Sequence, residues 1–409
     1  MGRTVQITLT DMAHGGDAVG RYDGQVVFVP LALPGENVTV SMEQSKSSYA
    51  RASVVSVDDA SPERVTPPCP VFGQCGGCQW QHISYAEQLR LKQGIVRNAL
   101  QRIGGIVEPD IQPMLGMDDP WRYRNHVQLR VDPAGQTGYY ALQSHTIVAT
   151  EHCLIAHPLL ETMWNAHLTC RVRAEELVLR AGINTGERLA QIRGRHAVTV
   201  RDDLSVPYSC LYTGPSGRRQ TLAGREYYTE RVLDVPLRVS ADAFFQNNTS
   251  QTERLIQVAA SYLQLKDGES LLDAYCGGGL LGLTLTNASN ALFGVESYSA
   301  SVRDARANAG SRGTFLEGDV ARVVKSHEMQ VDAVILDPPR TGCTPETVDA
   351  LASCGASRIV YVSCDPATLA RDVARFATLG YALVQAQPID LFPQTYHVET
   401  VALLEKRQD

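Results

Sequence analysis

After Phe244 the chain alternates short apolar, strand-like runs with helical stretches, and this rhythm restricts the fold more than any other feature. Strand-like runs are readable at Ser270–Ala274, Ala291–Val295, Val331–Leu336, Arg358–Val362 and Val398–Leu404. Helical runs lie between most of them, as at Ser299–Ala309 and Pro366–Thr378. Strands joined through helices pair in parallel, so the pattern predicts a doubly wound α/β domain over residues 241–409. Such domains bind ligands in the crevice beyond the carboxyl ends of their strands.

The remaining residues divide in two. Residues 1–60 alternate β-rich runs (Val5–Leu9, Gly24–Val29, Asn37–Met42, Ala52–Val57) with glycine turns, the pattern of a small β-barrel. Pro62, Pro67 and Pro68 mark its exit. Residues 61–240 are expected to form a mixed α/β central domain. Its clearest element is a helix from Ser84, where Ser84 and Glu87 suggest a capping box and Tyr85, Leu89, Lys92, Val96, Leu100 and Ile103 share a face. Gly104-Gly105 ends it. If Trp121–Arg130 is a strand, Arg122, Arg124, His126, Gln128 and Arg130 lie on one side. On pattern alone, that side reads as a solvated sheet face.

Asp273-Ala274-Tyr275-Cys276-Gly277-Gly278-Gly279-Leu280-Leu281-Gly282 follows a buried strand and opens a helix. Glycines there let the backbone turn sharply and approach a ligand. Glu296 ends the next strand, at the spacing where a carboxylate takes ribose hydroxyls. Gly277, Gly279 and Gly282 also satisfy the dinucleotide fingerprint, so a nicotinamide-dependent oxidoreductase remains open on this motif alone. Asp273 before the glycines could meet the ammonium of a methionine moiety, and Asp337-Pro338-Pro339 ends a strand at the same crevice; both favour S-adenosylmethionine.

Ser363-Cys364-Asp365-Pro366 lies between a strand and a helix, with Asp365 suited to the N-cap and Pro366 to the first turn. Cys364 therefore sits at a strand's carboxyl end beside a helix N-terminus, which favours thiolate, while the Asp365 charge opposes it. A thiolate there could add to C6 of a pyrimidine and make C5 nucleophilic, after which a base must remove the C5 proton. Glu399 in His397-Val398-Glu399-Thr400 is the best candidate base, with His397 as a second.

The chain has 10 cysteines and a net charge of −7. That charge argues against coating nucleic acid through bulk positive charge, so any RNA contact must be local. No apolar run is long enough to span a membrane, and a cytoplasmic location without disulfides is expected. Clustered cysteines then point to metal or catalysis. Cys69, Cys75, Cys78 and Cys153 form a possible all-thiolate site for zinc or an iron–sulfur cluster, which spacing cannot separate. Cys170, Cys210, Cys343 and Cys354 read as small buried hydrophobes.

Together these residues resemble the RNA uracil-C5 methyltransferases, over nearly the whole chain and most strongly after Phe244. The resemblance implies a Rossmann-like class I methyltransferase domain that uses S-adenosylmethionine. It assigns the nucleophile to Cys364, the base to Glu399, and cofactor contacts to Gln246, Tyr275, Glu296, Asp319 and Asp337. Phe244 would contact the target uracil. The barrel resembles the TRAM domain, an OB-like RNA-binding module; its acidic balance is unusual for that role, so RNA contact would have to come from a few placed residues such as Arg21, Lys46 and Arg51, and from Arg122 and Arg124 beyond the barrel. Pro68 to Trp80 looks like the [4Fe–4S] segment of the ribosomal subgroup, implying 23S ribosomal RNA as the target, with transfer RNA as the alternative. Leu280 stands where the family often has a polar residue, which leaves backbone contacts there. A monomer acting on RNA is expected. A non-catalytic RNA-binding protein is the competing reading from a different class, and intact Cys364, Glu399 and Asp337 argue against it.

Overall fold

The computed structural model describes residues 3–169, 174–195 and 208–407. Cys170 lies outside them. Five strands, β1 (Thr4–Met12), β2 (Ala18–Tyr22), β3 (Gln25–Val29), β4 (Asn37–Ser45) and β5 (Tyr49–Asp59), close a barrel in the order β1-β2-β3-β5-β4. Alternate residues such as Val5, Ile7, Leu9, Val38 and Val40 fill it. Strand β2 escaped the sequence reading because it is short and carries Gly20, where a Cβ would stand 2.5 Å from Ile7.

Helix α1 (Tyr85–Arg102) starts as expected, with the Ser84 side chain accepting the Glu87 N–H at 3.3 Å. The capping box is only half formed. The Glu87 carboxylate turns to Arg90 at 2.6 Å, and the Ser84 N–H donates to Glu63 O at 2.8 Å. The helix is apolar on two faces rather than one. Leu91 and Ile95 join the barrel core, and Val96 and Leu100 pack toward the C-terminal domain; Ile103 is exposed.

A seven-stranded sheet follows, built from β6 (His126–Val131), β7 (Thr137–Tyr140), β8 (Ile147–Ala149), β9 (Glu176–Ala181), β10 (Arg188–Arg193), β11 (Ser209–Thr213) and β12 (Arg219–Ala223). Helix α2 (Pro158–Thr169) packs on it, and a hairpin of β13 (Tyr227–Val232) and β14 (Val235–Ser240) leads onward. Tyr123, Asn125, Val127 and Leu129 alternate inward as expected, yet the strand begins only at His126. Arg122 takes φ +52°, which breaks the extended run before it.

The C-terminal domain contains α3 (Thr249–Leu263), β15 (Ser270–Ala274), α4 (Leu280–Leu285), β16 (Ala291–Glu296), α5 (Ser299–Ala309), β17 (Thr314–Glu317) and α6 (Val320–Ser326). It continues with β18 (Ala333–Leu336), α7 (Pro345–Ser353), β19 (Arg358–Ser363), α8 (Pro366–Thr378), β20 (Tyr381–Ile389) and β21 (Glu399–Lys406). The sheet order is β17-β16-β15-β18-β19-β21-β20; the first five strands pair in parallel, and β21 alone runs the other way, pairing antiparallel with both β19 and β20. This is the expected doubly wound class, with an apolar core on each face. Edge strands β17 and β20 had weak signals, one because it is four residues long and the other because Gln385, Gln387 and Pro388 interrupt it.

Candidate active site

Strand register determines which residues meet. Ala274 pairs with Leu336 and Val295, so the next residues outward, Tyr275, Asp337 and Glu296, leave the sheet together. On the other side Ser363 pairs with Thr400 in antiparallel β21, so Cys364 and Glu399 emerge side by side. All five line one cavity of about 810 Å³ beyond the carboxyl ends of the parallel strands. Gln246 and Phe244 line it too.

The glycine loop forms one wall. Tyr275, Gly277 and Gly279 take φ of +63°, +52° and +85°, which turns the chain from β15 into α4. The Gly277 N–H donates to one Glu296 carboxylate oxygen at 3.1 Å and the Tyr298 N–H to the other at 2.7 Å, which fixes that carboxylate at the rim. Asp273 does not act as expected. Its side chain is fully buried beneath the loop and accepts the Gly282 N–H at 2.8 Å, so it ties the loop to α4 without reaching the cavity. Burial pushes its carboxyl up to about 8.

The Gln246 side-chain amide donates to Asp337 at 3.0 Å. Burial raises the Asp337 carboxyl to about 7, against the pull of that hydrogen bond. Glu399 is 2% exposed, and one of its oxygens has no hydrogen-bond partner among the described residues. Burial, followed by the Asp337 charge, holds its carboxyl well above the usual carboxylate range, with Arg340 opposing. The Cys364 thiol is pushed up to about 12 by burial, then by the charges of Glu399 and Asp337. The Arg340 charge works in the other direction without reversing them. His397 is a poor second base. Burial, then the Arg340 charge, lowers its imidazole to about 3, and the Arg340 guanidinium lies 3.2 Å from its ring.

Comparison with known proteins gives this geometry a context. Residues 1–55 match the TRAM domain family, and residues 319–407 match the family described as tRNA (Uracil-5-)-methyltransferase. An uncharacterised RNA methyltransferase of Halalkalibacterium halodurans is 35% identical, the alignment spanning 98% of this chain and 96% of that one. One from Gloeobacter violaceus is 37% identical over 99% and 97%. The chain belongs to the RNA (uracil-5-)-methyltransferase family. The crystal structure of Pyrococcus abyssi tRNA (uracil-54, C5)-methyltransferase with S-adenosyl-L-homocysteine is similar at a TM-score of 0.78 and 25% identity, covering 98% of this chain and all of that one.

In this methyltransferase Cys69, Cys75, Cys78 and Cys153 line a second cavity of about 250 Å³. None of the four is in a disulfide. Among the described residues no three His, Cys, Asp or Glu side chains are grouped to hold a metal ion. Burial pushes the Cys78 thiol up to about 12. Gly77 and Arg124 line both cavities, so the two share a wall.

The other expected residues divide. Asp319 is exposed and does not line the large cavity; it caps α6, accepting the Arg322 N–H at 3.0 Å, beyond the edge strand β17. Arg122 is exposed and away from both cavities, whereas Arg124 reaches them. Leu280 presents an apolar side chain to the large cavity. Sequence reasoning missed Arg340, which follows the two prolines and is the cation acting on both Cys364 and Glu399. Its position after Asp337-Pro338-Pro339 was the available signal. It also missed Gln79, which lines the large cavity.

Proposed function

We propose that this methyltransferase transfers a methyl group from S-adenosylmethionine to C5 of a uridine in RNA, through a covalent bond between Cys364 Sγ and C6. The observation that carries this reading is the adjacent exit of Cys364 and Glu399 from β19 and β21 onto the cavity walled by the glycine loop. Gln246, Tyr275, Glu296, Asp319 and Asp337 are the residues that would hold the cofactor. Glu296 suits its ribose hydroxyls, and Asp319 would act from the outer rim.

The cofactor supplies an electrophilic methyl group and one positive charge. Positive charge in this cavity favours thiolate at Cys364 and carboxylate at Glu399, joining Arg340 against the burial that holds both protonated. Cys364 gives its proton to solvent and its Sγ adds to C6, shifting the electron pair onto C5 and the C4 carbonyl. C5 would then take the methyl group as its bond to the sulfonium sulfur breaks and the neutral thioether leaves. Glu399 removes the C5 proton, the C5–C6 double bond re-forms and the Sγ–C6 bond breaks, returning the thiolate. Phe244, 64% exposed at the rim, offers a ring for the flipped base to stack on.

Residues 1–60 and Arg124, with Arg122 farther out, would grip the RNA, residues 61–240 carry the cysteine cavity, and residues 241–409 perform the transfer. Cys69, Cys75, Cys78 and Cys153 would hold a [4Fe–4S] cluster, since four thiols around a space of this size suit a multi-atom group. Methyl transfer needs no electrons, so a structural role suits it better than a redox one. The target is proposed to be 23S ribosomal RNA, acted on by a monomer in the cytoplasm, because the Pro68–Trp80 segment resembles the ribosomal subgroup. Mapping 5-methyluridine by mass spectrometry in ribosomal and transfer RNA from cells lacking the gene tests the target.

The chemistry is tested with two variants. Cys364→Ala is expected to lose turnover, on the order of 10⁴-fold or more, and to form no RNA adduct, while cofactor binding persists. Glu399→Gln is expected to accumulate a methylated RNA–protein adduct that survives denaturing electrophoresis. Full activity in Cys364→Ala would overturn the mechanism.

A further inference from the structure

The barrel reaches the nucleophile's own turn through His14. His14, in the turn between β1 and β2, has its Nε2 3.0 Å from an Asp365 oxygen, across 351 residues of chain. Asp365 caps α8 with its other oxygen, which accepts the N–H groups of Ala367 and Thr368 at 2.9 and 3.0 Å. Burial pushes this carboxyl up, and the His14 bond together with those N–H groups more than reverses it, to about 2.

The turn carrying His14 is held from several sides. Gly16 O accepts the Trp80 indole N–H at 3.0 Å, and Gly16 at φ +87° lies so close to Tyr396 that a Cβ would stand 2.8 Å from it. Within the turn the Ala13 N–H bonds Asp17 O and the Gly16 N–H bonds Ala13 O, each at 2.9 Å, and Arg51 lies 3.6 Å from Asp17. A turn built this way presents His14 in one position.

We propose that His14 is a positioning residue for Cys364: its ring N–H, donated to Asp365 Oδ2, holds that carboxylate turned to the barrel and disperses its charge, so that the α8 cap opposes the neighbouring thiolate less. This rests on the reading of Cys364 as nucleophile. An N-cap carboxylate stabilises α8 but sits one residue from a sulfur that must become negative. The other charged groups acting on Cys364 are Glu399 and Asp337, which disfavour thiolate, and Arg340, which favours it and lies beside His397; Glu296, Asp242, Asp304, Arg124 and Arg238 line the same cavity. His14 is the group that acts on Asp365, so the barrel is part of the active site as well as a grip on RNA.

The test is the pseudo-first-order rate at which iodoacetamide alkylates Cys364 at pH 8, read from the Cys364 peptide by mass spectrometry. Wild type, His14→Ala, Asp365→Asn and the double variant are compared; asparagine still caps α8. If loss of His14 raises the thiol by about one unit, the thiolate fraction falls about tenfold, while the remaining thiolate is about threefold more nucleophilic. The expected net change in His14→Ala is therefore about threefold slower alkylation, with a matching fall in single-turnover methylation and unchanged affinity for S-adenosyl-L-homocysteine. In the Asp365→Asn background, removing His14 should change nothing. Equal effects in both backgrounds, or none in either, overturn the proposal. Gly16→Ala, which unseats the turn without touching a titratable group, should reproduce the His14→Ala rate; a wild-type rate there also counts against it. Full methylation by Cys364→Ala would instead remove the nucleophile reading, whatever His14 does.

Discussion

Lys92 has no exposed surface, yet its ammonium lies 2.7 Å from Asp390. The Tyr85 hydroxyl donates to the other Asp390 oxygen at 3.0 Å, and Lys92 also reaches Phe392 O at 3.1 Å. Helical periodicity read Lys92 as an aliphatic stem on an apolar face, because periodicity reports burial and not partners. The ion pair instead anchors the segment that leads through His397 to Glu399. Removing one member leaves the other charge buried, so Lys92→Met is expected to lower stability by about 3–5 kcal/mol. Adding Asp390→Asn should recover part of that loss. Urea denaturation of the single and double variants measures both. A single-variant loss below about 1 kcal/mol would show that the pair does not anchor the segment.

At the scale of elements, the cysteine cavity is tied to both walls of the active site. On one side the N–H groups of Gln79 and Trp80 donate to Gln394 O at 3.1 and 3.0 Å, and the Gln88 side chain bonds Gln394 as well. On the other, the Arg124 N–H donates to Ile155 O at 2.8 Å, two residues from Cys153. Next along the chain, the Asn125 N–H donates to Asn247 O at 3.0 Å and its side chain to Gln246 O at 2.9 Å. A group bound by the four thiols would therefore hold Gln246 and the approach to Glu399 at a fixed separation. Cys153→Ser is expected to lower bound iron. It should also speed amide exchange, about tenfold or more, at residues 123–125 and 246–248, as hydrogen–deuterium exchange would read. Unchanged exchange after loss of iron would mean the group does not brace the site. The spacing of the first three cysteines was legible in sequence because they lie on one short segment. The bracing was not, since each link joins residues far apart in the chain.

Across the whole molecule the barrel's core is not closed by the barrel alone. Trp80, Ile83, Leu91 and Ile95 complete it from outside, and Tyr396 of the C-terminal domain packs against it. Burying each large side chain stabilises by about 1.5–3 kcal/mol, and these contacts would be lost if the barrel opened alone. Denaturation is therefore expected to show one transition, with tryptophan fluorescence and far-ultraviolet circular dichroism changing together. Two separated transitions would show that barrel and catalytic domain are independent.

The sequence by itself determined the doubly wound domain, the barrel, the glycine loop and the position of Cys364 beyond a strand, because those depend on local periodicity, turns and caps. It could not determine that Asp273 turns inward while Asp337 faces the cavity, since both end strands and only packing decides which way a side chain points. Register between distant strands brought Glu399 beside Cys364, and the docking of two domains brought His14 to Asp365. Charges came out the same way. A carboxylate or thiol has one ordinary pKa in any sequence, and only burial and neighbours from remote segments move it.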